Sequence, residues 1–159
     1  MKKIVTALLL IYSLVMLTAC PQKSITEAKK QSSQIAVYAN NGVEITRELF
    51  RSQIISIAQK DRIAEGFILL AKSGQTFDRT VKNIENAYGT RPPKSEIERL
   101  FQVFNAEVVA RFLDILRELK VVSADNRIGE VVALLQTAIL AIAKVFGNKR
   151  QLELQIEQI

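Results

Sequence analysis

Apolar residues in this chain recur mostly at steps of three and four. The longest run is Ile97, Phe101, Phe104, Val108, Phe112, Ile115 and Leu119, spaced 4, 3, 4, 4, 3 and 4 apart. Such spacing gathers large side chains on one face of a 3.6-residue helix. Its three phenylalanines read as core packing rather than as a ligand site. Ser95-Glu96-Ile97-Glu98 ahead of the run has the form of a capping box. The preceding Thr90-Arg91-Pro92-Pro93 ends whatever helix comes before, because paired prolines cannot continue one.

The same periodicity predicts helices on both sides. Leu49, Phe50, Ile54 and Ile57 keep helical spacing, and Ser56-Ile57-Ala58-Gln59 marks a new helix start. Ile63, Phe67, Leu70 and Ala71 lead to Ser73-Gly74, after which Phe77, Val81, Ile84 and Tyr88 carry the stripe toward Gly89. Val131 to Ala143 is free of charge, which predicts the central buried helix, capped by Asp125 or Asn126 and stopped at Gly147. The tail QLELQIEQI has a composition that favours helix over strand. Residues 35–45 are ambiguous: Asn41-Gly42 suits a hairpin turn, but the helix-forming segment before it favours a helix that ends in a turn there. The fold expected is all-α, a bundle of about five to six helices, with Phe101, Phe104, Val108, Phe112, Leu135 and Ile139 in its core. Segments 62–70 and 127–135 share five of nine residues, which leaves open an internal repeat in which Ser56 and Ser123 cap equivalent helices.

The beginning of the chain follows a different pattern. Lys2 and Lys3 precede fourteen uncharged residues, Ile4 to Leu17, and then come Thr18, Ala19 and Cys20. A basic start, a short apolar stretch and a small-residue exit form an export-signal pattern. The stretch is too short for a spanning helix, which needs about 20 apolar residues. Leu17-Thr18-Ala19-Cys20 resembles the lipobox of bacterial lipoproteins, a resemblance confined to residues 1–20. It implies that Leu17, Thr18 and Ala19 are read by the signal peptidase and that Cys20 takes a diacylglycerol. Cys20 then becomes the first residue, often with an N-acyl chain such as palmitate on its new amino group. Two or three chains make a lasting anchor where one does not. The resemblance also implies a cell-envelope protein. Pro21 stands where an inner-membrane protein often has Asp, so the outer membrane, facing the periplasm, is the expected location if the cell has two membranes.

The expected division is a signal peptide at 1–19, a lipidated cysteine and polar tether at 20–33, and a helical bundle at 34–159. Lys23, Lys29 and Lys30 in the tether could attract anionic lipid or wall polymer. The formal charge of +6, less Lys2 and Lys3, leaves +4 on the mature side chains. Nucleic acid is not an expected partner, since no recognition motif supports it.

Chemistry is bounded by what is missing. The chain has no histidine, and Cys20 is its single cysteine. Ser-His-Asp and Cys-His catalysis and the usual His/Cys zinc sites are therefore excluded. No phosphate-cradling glycine motif and no alternating Asp/Asn calcium loop is present, so neither a metal nor a cofactor is expected. Acid pairs four apart, Glu44/Glu48, Asp114/Glu118 and Glu153/Glu157, share helix faces, but beside basic neighbours they read as solvated ion pairs. The leading functional expectation is a non-enzymatic, membrane-anchored bundle acting by contact with an envelope protein, as scaffold, adaptor, inhibitor or exclusion factor. The alternatives are a carboxylate-dependent cell-wall enzyme and a carrier of an apolar ligand. Metabolic labelling with a fatty acid should mark the wild type and leave the Cys20→Ala variant unlabelled. Equal labelling of the two would contradict the lipobox assignment.

Overall fold

The computed structural model describes the backbone of residues 2–89, 91–120 and 125–159, and the side chains of those ranges from residue 25 onward. Its elements are α1 (Lys2–Arg51), α2 (Ile57–Tyr88), α3 (Lys94–Val103), a π-helical segment (Phe104–Val109), α4 (Ala110–Lys120), α5 (Asn126–Val145) and α6 (Lys149–Glu157). No strand occurs among the described residues. The all-α class is as expected. The segment α3, the π turn and α4 form one uninterrupted rod.

Pair contacts fix how the rods run. Lys29 reaches Glu85, Ser32 reaches Asp78, and the Ile35 side chain lies against Gly74. Residue numbers rise on α1 as they fall on α2, so the two are antiparallel. The Phe77 and Phe104 rings meet at 5.4 Å and Ile115 lies over Gly66, which turns the third rod antiparallel to α2. Arg127 reaches Glu48, so α5 starts beside the far end of α1 and returns along it. The order is up, down, up, down. α6 packs on α5, and the Lys120 ammonium donates to the Ile159 carbonyl at the end of α4. Phe67, Phe77, Phe104 and Phe112 are fully buried in the shared core. Truncating such a ring to alanine typically costs about 3–5 kcal/mol.

Several boundaries differ from expectation, each for a visible reason. The polar tether is not free over its second half. Ile25, Ala28, Ser32 and Ile35, spaced 3, 4 and 3 apart, are buried on one face of α1. The packed bundle therefore already includes Ile25, ahead of the start expected at residue 34. Ser32 Oγ donates to Asp78 Oδ1 at 2.8 Å, which satisfies a hydroxyl that burial would otherwise strand.

The turn expected at Asn40-Asn41-Gly42 is absent, and α1 runs straight through it. Gly42 serves closeness rather than turning: a Cβ there would sit 2.6 Å from the buried Phe67 ring. Thr46 lies inside the helix, with its hydroxyl donating to the Gly42 carbonyl at 2.7 Å. Gly74 does the same for α2, where a Cβ would meet Ile35 at 2.9 Å. α2 runs through Ser73-Gly74 and continues to Tyr88.

Ser56 caps α2 with a complete capping box, as expected. Ser95 does not cap α3. That helix starts earlier, at Lys94, where Pro93 has φ −58° and its carbonyl already accepts from Glu96 and Ile97. Phe101 is half-buried, its ring against Phe146 at 5.3 Å, whereas the other five expected core residues are buried. Two consecutive four-residue steps overshoot an α-helical face, and the wider π turn at Phe104–Val109 absorbs them.

α5 is capped by Asp125 and ended at Gly147, which has φ 74°. It is not central: Leu134 is 46% exposed, and Ala133 and Thr137 share its open side. At 20 residues with mean hydropathy 1.8, α5 is long and apolar enough to cross a membrane, although 39% of its apolar window is buried in the bundle. The repeat fares poorly. Arg62 lies five residues into α2, whereas Arg127 is the second residue of α5, and Asp125 is the cap in place of Ser123, which lies outside the described residues.

Two glycine substitutions separate packing from propensity. Gly129→Ala in α5 meets nothing within 4 Å, so it should raise the melting temperature by a stabilisation of up to about 1 kcal/mol. Gly42→Ala gains the same propensity but drives a methyl into Phe67, an overpacking cost of about 1–3 kcal/mol. It should melt earlier. Thermal unfolding followed by circular dichroism decides, and equal shifts would contradict the close approach of α1 and α2.

Candidate functional site

The side chains of Leu17, Thr18, Ala19, Cys20 and Lys23 lie outside the described residues. Their position on the helix axis is still informative. Cys20 and Arg51 belong to one helix, and 31 residues at about 1.5 Å each place them about 46 Å apart. Lys29 pairs with Glu85 at 2.5 Å. Lys30 is exposed and has no ion pair among the described residues.

The end of the bundle away from Cys20 is built by the α1–α2 turn. Ile54 N–H donates to the Leu49 carbonyl and Gln53 N–H to the Phe50 carbonyl, each at 3.0 Å. This six-to-one, five-to-two pair of bonds is a Schellman ending. The same bonds close α5, Asn148 to Ala143 and Gly147 to Lys144. There the left-handed position belongs to glycine. In the α1–α2 turn it belongs to Gln53, at φ 59°, a conformation that costs a side-chain-bearing residue about 1–2 kcal/mol.

That turn exposes three large apolar side chains. Phe50 is 37%, Ile54 54% and Ile57 61% exposed, while their neighbours Leu49 and Ile55 are buried. Helical spacing had suggested that Leu49, Phe50, Ile54 and Ile57 share one buried face. The chain leaves α1 at Arg51, so the spacing no longer applies beyond it. The sequence did hold a signal: two isoleucines immediately before a capping serine cannot both point inward across a tight turn.

Charges surround the apolar tip. The Lys60 ammonium lies 5.0 Å from the Phe50 ring centroid and 2.8 Å from Asp61. Arg47 pairs with Glu44 at 2.6 Å. Arg127 spans Asp125 at 3.0 Å and Glu48 at 3.2 Å, tying the start of α5 to α1. Arg51 and Arg62 are exposed without an ion pair among the described residues. Exposed apolar side chains with charged neighbours are an arrangement also found at protein–protein contacts.

The acid pairs do not converge. Glu44 and Glu48 hold different arginines, Asp114 pairs with Arg117 at 2.8 Å, and Glu153 with Lys149 at 3.2 Å. Asp61 and Glu65 do share a shallow groove with Arg47 and Lys60, though Asp61 is held by Lys60. Among the described residues no three His, Cys, Asp or Glu side chains gather as a metal site.

The hydrogen bonds from the Arg127 side chain, and then from its backbone N–H, hold the Asp125 carboxyl below the ordinary carboxylate range. The same contact raises Arg127. Because the folded value of Asp125 is depressed, its contribution is complete above the unfolded pKa, about 3.9, and is lost as pH falls through the folded value. Asp125→Ala should therefore lower the melting temperature near neutrality, with the gap to wild type narrowing below about pH 4. A gap independent of pH would show that Asp125 does not act as an anion. No family model, curated protein or solved structure matches the chain, so its function must be read from its own residues.

Proposed function

We propose that this chain is a bacterial lipoprotein that works by protein contact at the end of the bundle remote from its anchor. Processing before Cys20 would remove the first part of α1, and acylation of the Cys20 thiol and new amino group would fix the remaining helix to the membrane at that residue. The outer membrane, facing the periplasm, is the favoured location. α1 then acts as a strut. It has no flexible tether over its packed length and presents the α1–α2 turn tens of ångströms from the lipid surface.

The observation that carries this reading is the exposure of Phe50, Ile54 and Ile57 in one turn that the fold closes with Gln53 in a left-handed conformation. Full burial of such a side chain is worth about 1.5–3 kcal/mol; with 37–61% of each still exposed, a contact can recover part of that from each of the three. Their rim carries the Arg47–Glu44, Lys60–Asp61 and Arg127–Glu48 pairs beside Arg51 and Arg62, which suits a partner surface with charges of both signs. The chemistry proposed is binding alone, with no cofactor other than the covalent lipid.

A photo-crosslinking residue at Gln53 in living cells should capture a discrete partner protein. Ile54→Glu combined with Ile57→Glu should abolish that product while leaving fatty-acid labelling and the melting temperature unchanged. Capture that survives both charges would remove the tip as the contact surface.

A further inference from the structure

The π segment forms one wall of a groove of about 320 Å³, with α6 and the end of α5 opposite. This is the low end of the range for small-ligand sites. Asn105 and Ala110, the two ends of an i→i+5 hydrogen bond, both line it. π turns are rare and concentrate at functional sites.

The groove's chemistry is unusual for this chain. Charged residues make up 24% of the sequence, yet none lines the groove. Four primary amides do: Asn105, Asn148, Gln151 and Gln155. None of their side chains hydrogen-bonds a protein group among the described residues, and Asn148, which precedes α6, makes no side-chain cap. Beneath them the floor is apolar, formed by Val109, Leu113 and Leu152, all buried.

We infer that this groove binds a neutral saccharide carrying acetamido groups. Each protein amide offers both donors and an acceptor, which matches a ligand that presents hydroxyls and secondary amides together. The apolar floor matches the C–H face of a sugar ring and an acetyl methyl. The absence of charge disfavours phosphate, carboxylate and ammonium ligands. An extended peptide would seek main-chain partners, and the groove walls are helices whose backbone groups are already bonded. A helical peptide needs a longer apolar trough. The inference is independent of the contact at the α1–α2 turn.

The full chain, purified in detergent, should be titrated calorimetrically with tri-N-acetylchitotriose. Saturable binding is expected, insensitive to a roughly tenfold rise in salt because no ion pair is involved. Asn105→Ala with Gln151→Ala should weaken it by about tenfold or more with the helical signal intact. Ala110→Phe, at the exposed rim, should block it without removing an amide. Maltotriose, which lacks amides, should bind several-fold more weakly. Absence of saturable binding, affinity unchanged in the variants, or equal affinity for maltotriose or for a neutral acetylated tripeptide amide would overturn the assignment.

Discussion

Two glycines determine how closely α1 and α2 lie, and the rest of the bundle follows from that approach. Gly42 admits the Phe67 ring into the surface of α1, and Gly74 admits Ile35 into α2. Both glycines sit inside helices, where each is about 1 kcal/mol less favourable than alanine. That cost is offset by full burial of Phe67 and Ile35. With the pair drawn together, Ala28 and Ala39 are buried on the same side of α1. Ser32 then comes within reach of Asp78. The close pair also keeps α1 helical through Asn40-Asn41-Gly42, a tripeptide whose local preference is to turn.

The persistence of α1 links packing to the proposed function. A helix interrupted at Gly42 would let the start of the chain swing relative to the bundle. An unbroken one makes the α1–α2 turn the far end of a strut. The turn itself shows local preference giving way. Gln53 occupies a position that glycine takes in the otherwise identical ending of α5. Strain of this kind persists only where its surroundings enforce it. Here it accompanies the exposed side chains of Phe50, Ile54 and Ile57, and the Arg127 bridge from α5 to Glu48 braces the same region.

Much of the fold could be read from periodicity, because burial in a bundle is what creates it. Phe104, Val108, Phe112, Leu135 and Ile139 were legible as core for that reason. The capping box at Ser56, the stop at Gly147 and the break at Pro92-Pro93 were legible because their chemistry is local. What escaped depends on partners distant in sequence. Polar Lys29 and Ser32 look like tether until Glu85 and Asp78 are opposite them. Gly42 reads as a turn until Phe67 is beside it. α5 looks central from its apolar composition, but its open face at Ala133, Leu134 and Thr137 follows from how few helices surround it. The amide-lined groove was invisible for the same reason, and the tip showed only as two isoleucines ahead of the capping Ser56. Exposure of an isoleucine, or convergence of Asn105 with Gln151, is a property of the assembled surface.

The central claim is that one continuous helix joins the beginning of the bundle to its remote tip. Spin labels at exposed Lys30 and Arg51, in a chain with Cys20 replaced by serine, measure this directly by pulsed electron–electron resonance. Twenty-one residues of unbroken helix predict a narrow distribution centred at about 32 Å between backbone positions. A much shorter distance, or a broad distribution reporting a break at Asn40–Gly42, would contradict the account.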